Sequence, residues 1–499
     1  MPNLLDPITR HAAASPTAVA LRTDTGPRTY PELHDASLRY ASALREAGVG
    51  VGDRVLLVAP SVPEFVVAYM GIQAIGAVVV PVNTMSTATE LTYFLTDSGA
   101  QLAIGWHRLG PTVAEAAGAA GIPSWTLAPG APTDCAPIAE PVDRAGDDTA
   151  AILYTSGTTG KPKGAQLTVG NLLAAGEIGT AVSRSTAADR TGTGLPLFHV
   201  FGQASVMMAA FAGGGSLSLL ERFTPAGMVE MLRRDGLTVV CGVPTMWNAM
   251  LHTAGDTGPT DFAHLRVAVS GGASLPGEIG RQFEARFGCT ILEGYGLTET
   301  TAMATFNDTD RAGKVGSVGS VVPRLGVEIR DPDGRPCATG TVGEVYVRGA
   351  TVMKGYWNRP DATAAVLGRD GWFRTGDLGT FDEDKDLRIV DRLKDLIIRG
   401  GYNVYPSEIE ETLYRHPDIV EAAVVGVPDD HYGEEVAAVV SVRAGSTLTG
   451  EQLTEWSRNR LSAYKIPRIV QFVDALPKGT TGKILKRAID RDELRASSA

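Results

Sequence analysis

Cysteine is scarce in this chain, with four in 499 residues, at 135, 241, 289 and 337. None stands in a C-x-x-C pair or near a histidine cluster, which argues against a disulfide framework and a structural zinc site. They read as buried thiols of a reducing cytosol. Basic charge is also in deficit, 45 Lys+Arg against 56 Asp+Glu, for a formal charge of −11. A nucleic-acid or anionic-membrane binder would show a basic face instead. The start of the chain, MPNLLDPITRHAAAS, lacks a basic n-region and an apolar h-region, so no signal peptide is visible and a cytoplasmic location is expected. Long apolar runs are missing too. The stretch Val200–Leu220 carries no charge, but Gly213-Gly214-Gly215 and scattered Ser and Gln break it. A helix, a glycine turn and a buried strand fit it better than a membrane span. No internal period of roughly 20–50 residues is present, and the echo of TTGK at Thr158 and Thr480 is too short to be a repeat.

What is present is alternation. Short apolar runs at Arg54–Ala59, Ala77–Val82, Ala150–Tyr154, Thr238–Cys241, Leu265–Val269 and Thr290–Leu292 are separated by helical patterns. Glu64–Ile75 is one of these, and Pro276–Phe287 sets Ile279, Phe283 and Phe287 on one face. Such strands imply sheets covered on both faces, hence α/β layering. At roughly 150 residues per domain the length suggests about three units. From about 317 to 390 the texture becomes β-rich, with strands at Gly326–Arg330 and Gly343–Arg348 and a turn at Asp331-Pro-Asp-Gly334. From 391 to the end the composition suits a small α+β domain. Ser407 with Glu410 and Thr449 with Gln452 read as capping boxes, and Ile419–Val427 and Glu435–Val442 as strands.

Five segments carry chemistry. Tyr154-Thr-Ser-Gly-Thr-Thr-Gly-Lys-Pro-Lys-Gly164 follows an apolar strand, and its hydroxyls, glycines and lysines suit a phosphate cradle in a strand-to-helix turn. It is no Walker A loop, since Thr155 stands where that motif needs its first Gly and Lys161 is followed by Pro162. Glu293-Gly-Tyr-Gly-Leu-Thr-Glu-Thr300 sets an aromatic between glycines, able to stack on a flat ring. Its Thr298 and Glu299 could hold a phosphate oxygen and a magnesium ion, though a plain Thr/Glu helix start reads equally well. In Gly371–Gly379 and Asp391–Gly401, Asp377 and Arg392 could take the hydroxyls of a sugar, although each alone reads as a turn or a surface charge. Pro477–Arg487 looks like a flexible hairpin that delivers Lys483.

In this order and spacing, the five segments resemble the adenylate-forming acyl-CoA synthetase superfamily, whose relatives include carrier-loading adenylation domains and beetle luciferases. The likeness runs from about Leu33 to Arg487. It implies a large adenylating domain (1–390) and a small domain (391–499) that rotates about a hinge near Lys394. It implies that Thr155, Ser156, Gly157, Thr158, Thr159, Gly160, Lys161 and Lys163 wrap the triphosphate of ATP. Tyr295 would stack on adenine against Gly271, Gly272 and Ala273, with Glu293, Gly294 and Gly296 alongside. Thr298 would meet the α-phosphate, Glu299 would hold Mg²⁺, and Asp377 and Arg392 would clasp the ribose. Lys483 would be the catalytic lysine, and Gly400-Gly401 would face the pantetheine of coenzyme A. His199 matches an aromatic gate between the nucleotide and acyl pockets.

The reaction so implied joins a carboxylic acid to coenzyme A through an acyl-adenylate, releasing AMP and pyrophosphate. The acyl site would include His199, Val243, Gly271, Gly296 and Leu297, within a wall extended by Met207, Met208, Phe211, Cys241, Gly242, Met246 and Trp247. That apolar wall suits a medium-to-long fatty acid or a bulky aryl or terpenoid acid. The run Leu197–Gln203 lacks the Asp that amino-acid-activating relatives use. An acyl carrier protein as acceptor, a homodimer, a luciferase-like oxygenase and a non-catalytic nucleotide-binding regulator remain as alternatives.

Overall fold

The computed structural model describes residues 2–23, 26–130, 134–155, 161–311, 313–479 and 482–496. The expected nucleotide-loop residues Ser156, Gly157, Thr158, Thr159 and Gly160 lie outside them.

Layered sheets and helices form the body, as the alternating pattern predicts. In a nine-stranded sheet the inner strands Thr290–Tyr295, Val267–Ser270, Val239–Gly242, Arg190–Thr193, Ser216–Leu219 and Val19–Thr23 run parallel. A seven-stranded sheet is parallel through Val78–Pro81, Arg54–Val58, Leu102–Trp106 and Ser124–Leu127. One apolar core takes residues from both sheets, including Leu57, Val79 and Leu153 from one and Leu21, Val239 and Val267 from the other. Helix Pro63–Ala74 is buried along nearly all of its length in that core. It is apolar on every side, as a helix enclosed by protein must be.

Val200–Leu220 folds as a π-helical segment Phe201–Met208, a short α-helix Ala209–Gly213 and a strand Ser216–Leu219. Gly214 makes the turn at φ +77°. Among the described residues no helix is long and apolar enough to cross a membrane.

A four-stranded antiparallel sheet follows, Leu325–Arg330, Gly343–Gly349, Phe373–Phe381 and Leu387–Arg392. Its last strand runs to Arg392, and residues 393–396 lead into Ile397–Arg399 of the final sheet. That sheet pairs Ile419–Asp429 with Gly433–Val442, close to the expected strands.

Two local expectations fail. Helix Pro406–Tyr414 has no side-chain cap. The Ser407 hydroxyl and amide both donate to Asp391 Oδ2, at 3.0 and 2.9 Å, and Glu410 accepts from the Val424 amide at 2.7 Å while pairing with Lys486. A buried carboxylate outcompetes the local cap. The box at Thr449 and Gln452 forms as expected. Of the four free cysteines, only Cys241 and Cys289 are buried, and Cys135 and Cys337 are partly exposed.

Candidate active site

The segment read as a strand-to-helix phosphate turn joins two strands instead. Thr149–Thr155 pairs antiparallel with Lys163–Thr168, with Thr155 opposite Lys163. Among the described residues the next helix begins only at Val169, so the described lysines here, Lys161 and Lys163, act without a helix N-terminus beside them. Lys161 is exposed, and Lys163 Nζ lies 5.4 Å from the centre of the Tyr356 ring.

Parallel strands Val267–Ser270 and Thr290–Tyr295 end side by side, Ser270 opposite Glu293. This brings the loop of Gly271, Gly272 and Ala273 next to Tyr295. Gly272 holds φ +77°, and a Cβ on Gly271 would stand 3.1 Å from the Phe201 ring. Gly296 admits no side chain, since a Cβ would fall 2.3 Å from the Ala302 carbonyl carbon. Gly294 is nearly as confined, by Phe306 at 2.9 Å. The Glu293 carboxylate accepts the Leu275 amide at 2.9 Å, so it braces the glycine loop from behind. Burial pushes it up to about 8, and the nearby Glu411 carboxylate adds to the rise.

Thr298 and Glu299 occupy a single 3₁₀ turn. The Glu299 carboxylate is buried and accepts the Tyr356 hydroxyl at 2.8 Å. Burial holds its pKa above the ordinary carboxylate range. Tyr356 was not foreseen; the only hint was an aromatic directly after a glycine in Lys354-Gly-Tyr-Trp357.

Asp377 and Arg392 face each other across the antiparallel pair, with Arg392 Nε 3.4 Å from Asp377 Oδ1. Tyr295 completes the group by donating its hydroxyl to Asp377 Oδ2 at 2.6 Å. Burial raises Asp377, against the opposing pull of Arg392, Tyr295, Lys483 and Lys394.

Lys483 lies on a hairpin closed by the Lys478–Ile484 bridge and by the Gly479 amide on the Lys483 carbonyl at 2.8 Å. Burial first, then the positive Arg392, pushes the ammonium down to about 8. Its charge in turn depresses His199, which burial takes to about 4. His199 Nδ1 accepts the Phe201 amide at 3.3 Å, so the neutral ring carries its proton on Nε2. Val243 lies between the Gly272 loop and this hairpin, 3.6 Å from a Cβ at Gly272 and 3.5 Å from one at Gly482. Leu297 accepts the Ala302 amide at 2.8 Å beside Gly296.

Not every proposed wall residue gathers here. Phe211 packs edge-on against Tyr30, and Trp247 against Phe283 while donating to Ser270 at 3.0 Å. Both are core side chains, because the apolar pattern that marks a pocket wall also marks a sheet interior. Gly400 and Gly401, at φ +56° and +83°, form the tight turn between Arg399 and Tyr402. The turn rests on Tyr432, and Arg399 beside it is held by Glu435 at 2.6 and 2.8 Å. Lys394 is exposed in the link between two sheets.

This chain belongs to the AMP-binding enzyme family, whose profile matches residues 8–357, and the family's C-terminal domain matches 408–483. Feruloyl-CoA synthase of an Amycolatopsis species is 39% identical over 97% of each chain. A long-chain-fatty-acid–CoA ligase of Yersinia pestis is 36% identical over 94% of this chain and 91% of its own. The crystal structure of ATP-bound MatB from Rhodopseudomonas palustris superposes with a TM-score of 0.93 over the whole of both chains, at 34% identity.

Proposed function

We propose that this AMP-binding enzyme is an ATP-dependent, AMP-forming acid–CoA ligase that activates an apolar carboxylic acid. The observation that carries the reading is the half-buried Lys483, on a segment docked to the body through Thr245 and Gly482, where its charge bears on Asp377 and His199. Relatives that join acids to coenzyme A along nearly their full length support the acceptor. Aryl acids are the first class to test, on the strength of the feruloyl relative and the Phe201 ring beside Gly271.

A carboxylate is a poor electrophile because its leaving group would be oxide. Attack of a carboxylate oxygen on the α-phosphate of ATP expels pyrophosphate and leaves an acyl-adenylate, from which AMP departs readily. Negative charge builds on the α-phosphate and the departing pyrophosphate, where a preorganised cation acts best. Lys483 supplies that cation. Asp377, Arg392 and Tyr295 orient the nucleoside, and neutral His199 separates nucleotide from acid without adding charge. The buried Glu299 carboxylate, with the Tyr356 hydroxyl on it, fits magnesium, which takes one or two carboxylates and completes its shell with phosphate and water. Bound there, the ion would neutralise phosphate charge. Coenzyme A thiolate then attacks the acyl carbonyl and AMP leaves. For this step the small domain turns about Lys394 and brings the Gly400-Gly401 turn to the pantetheine.

The test is incubation with ATP, Mg²⁺, coenzyme A and a panel of aryl, fatty and amino acids, read by mass spectrometry. Acyl-CoA and AMP from the apolar acids are expected. Acyl-adenylate without acyl-CoA would instead mark a carrier-loading enzyme, and no adenylate from any acid would end the ligase reading.

A further inference from the structure

Two side chains of a helix outside the nucleotide cluster bond the C-terminal part of the chain, one at the hairpin that carries Lys483 and one at strand Ile419–Asp429. Helix Pro244–Thr253 follows strand Val239–Gly242, and its residues Thr245 and Asn248 stand three apart on one face. Thr245 Oγ1 donates to the Gly482 carbonyl at 2.9 Å, and Asn248 Nδ2 donates to the Val420 carbonyl at 3.3 Å. The first contact is close-fitted. Gly482 holds φ +79°, and a Cβ there would lie 2.8 Å from Thr245 Oγ1. Only a glycine lets the backbone next to Lys483 approach the hydroxyl this closely.

We propose that Thr245 is a positioning residue for Lys483, and that with Asn248 it forms a latch holding the small domain in its adenylating pose. The proposal rests on the ligase reading above. Both bonds run from a side chain of the body to backbone of the segment that must move, so rotation breaks them. Neither donor touches a reacting atom. The latch therefore sets the population of one pose, and weakening it shifts the balance toward the other.

The experiment compares T245V, T245S and N248A with the parent. It measures single-turnover acyl-adenylate formation, thiolysis of supplied acyl-adenylate, and labelling of Lys483 by an acetylating ester in ligand-free protein. T245V should form adenylate about tenfold more slowly, the loss of one hydrogen bond. It should carry out thiolysis at least as fast as the parent and expose Lys483 to faster labelling. T245S keeps the hydroxyl and should behave as the parent. N248A should move in the same direction as T245V and carries the test if T245V fails to fold. Unchanged adenylation and labelling in the variants, equal loss in both half-reactions, or a T245S as impaired as T245V would each overturn the latch. Labelling needs no acid substrate. A parent that adenylates nothing, with Lys483 still exposed by T245V, would overturn the ligase reading and support the latch.

Discussion

The Tyr295 phenol donates a 2.6 Å hydrogen bond to the Asp377 carboxylate, tying the end of a strand in the nine-stranded sheet to the four-stranded sheet. The two residues are 82 apart in the chain. One contact thus links the ring proposed to stack on adenine with the carboxylate proposed to hold ribose.

Tyr295→Phe keeps the ring and removes the donor. A buried carboxylate left short of a partner costs about 1–3 kcal/mol. KM for ATP is expected to rise about tenfold, with KM for the acid little changed. Steady-state kinetics with each substrate varied would show it, and an effect confined to the acid would contradict the assignment.

Removing Lys483 should separate the half-reactions. Lys483→Ala is expected to slow acyl-adenylate formation by about 10²–10³, the usual cost of losing a preorganised charge. Thiolysis of supplied acyl-adenylate should survive. Equal losses in both steps would refute the role.

The same ammonium predicts a pH limb. Its protonated form is the active one, and burial beside Arg392 lowers its pKa to about 8. The kcat/KM for adenylation should therefore fall as pH rises through about 8, since this ratio reports the free enzyme. His199, pushed to about 4, should add no limb near neutrality. A K483R variant, which stays charged, should lose the alkaline fall in whatever activity it retains.

At the sheet-to-sheet link, Lys394→Pro restricts the dihedrals that rotation must change. Thioester formation should slow more than adenylation when the two are timed separately. Uniform slowing would argue against a hinge here.

Glu293 offers a test on stability. Its folded pKa of about 8 lies above the ordinary carboxylate value, so between about pH 4.5 and 8 the folded state holds a proton that the unfolded state has released. Stability then falls as pH rises through that window, by at most about 1.4 kcal/mol per unit. E293Q mimics the protonated form and removes the slope. Melting temperatures across pH 5–8 should show E293Q gaining on the parent as pH rises, and parallel curves would refute this.

Much of this was legible locally. The strands at 54, 77, 150, 238, 265 and 290 follow from apolar runs between helical patterns, and the Thr449 cap from its own four residues. Each depends on neighbours in the chain, which a sequence displays. The antiparallel pairing of Thr149–Thr155 with Lys163–Thr168 was not legible, because the second of these strands carries little apolar signal. Nor was Tyr356 as a partner of Glu299, since nothing in its neighbourhood points 57 residues back.

By itself the sequence determined the layered class, the five chemical segments and the glycines and hydroxyls that each requires. Only the tertiary structure decided which side chains meet. It gave Ser407 to Asp391 in place of a helix cap, turned Phe211 and Trp247 into core, and set Gly482 against Thr245. The reason is that backbone periodicity is a local property, whereas a hydrogen-bonding or apolar group settles on the strongest partner that packing brings within reach.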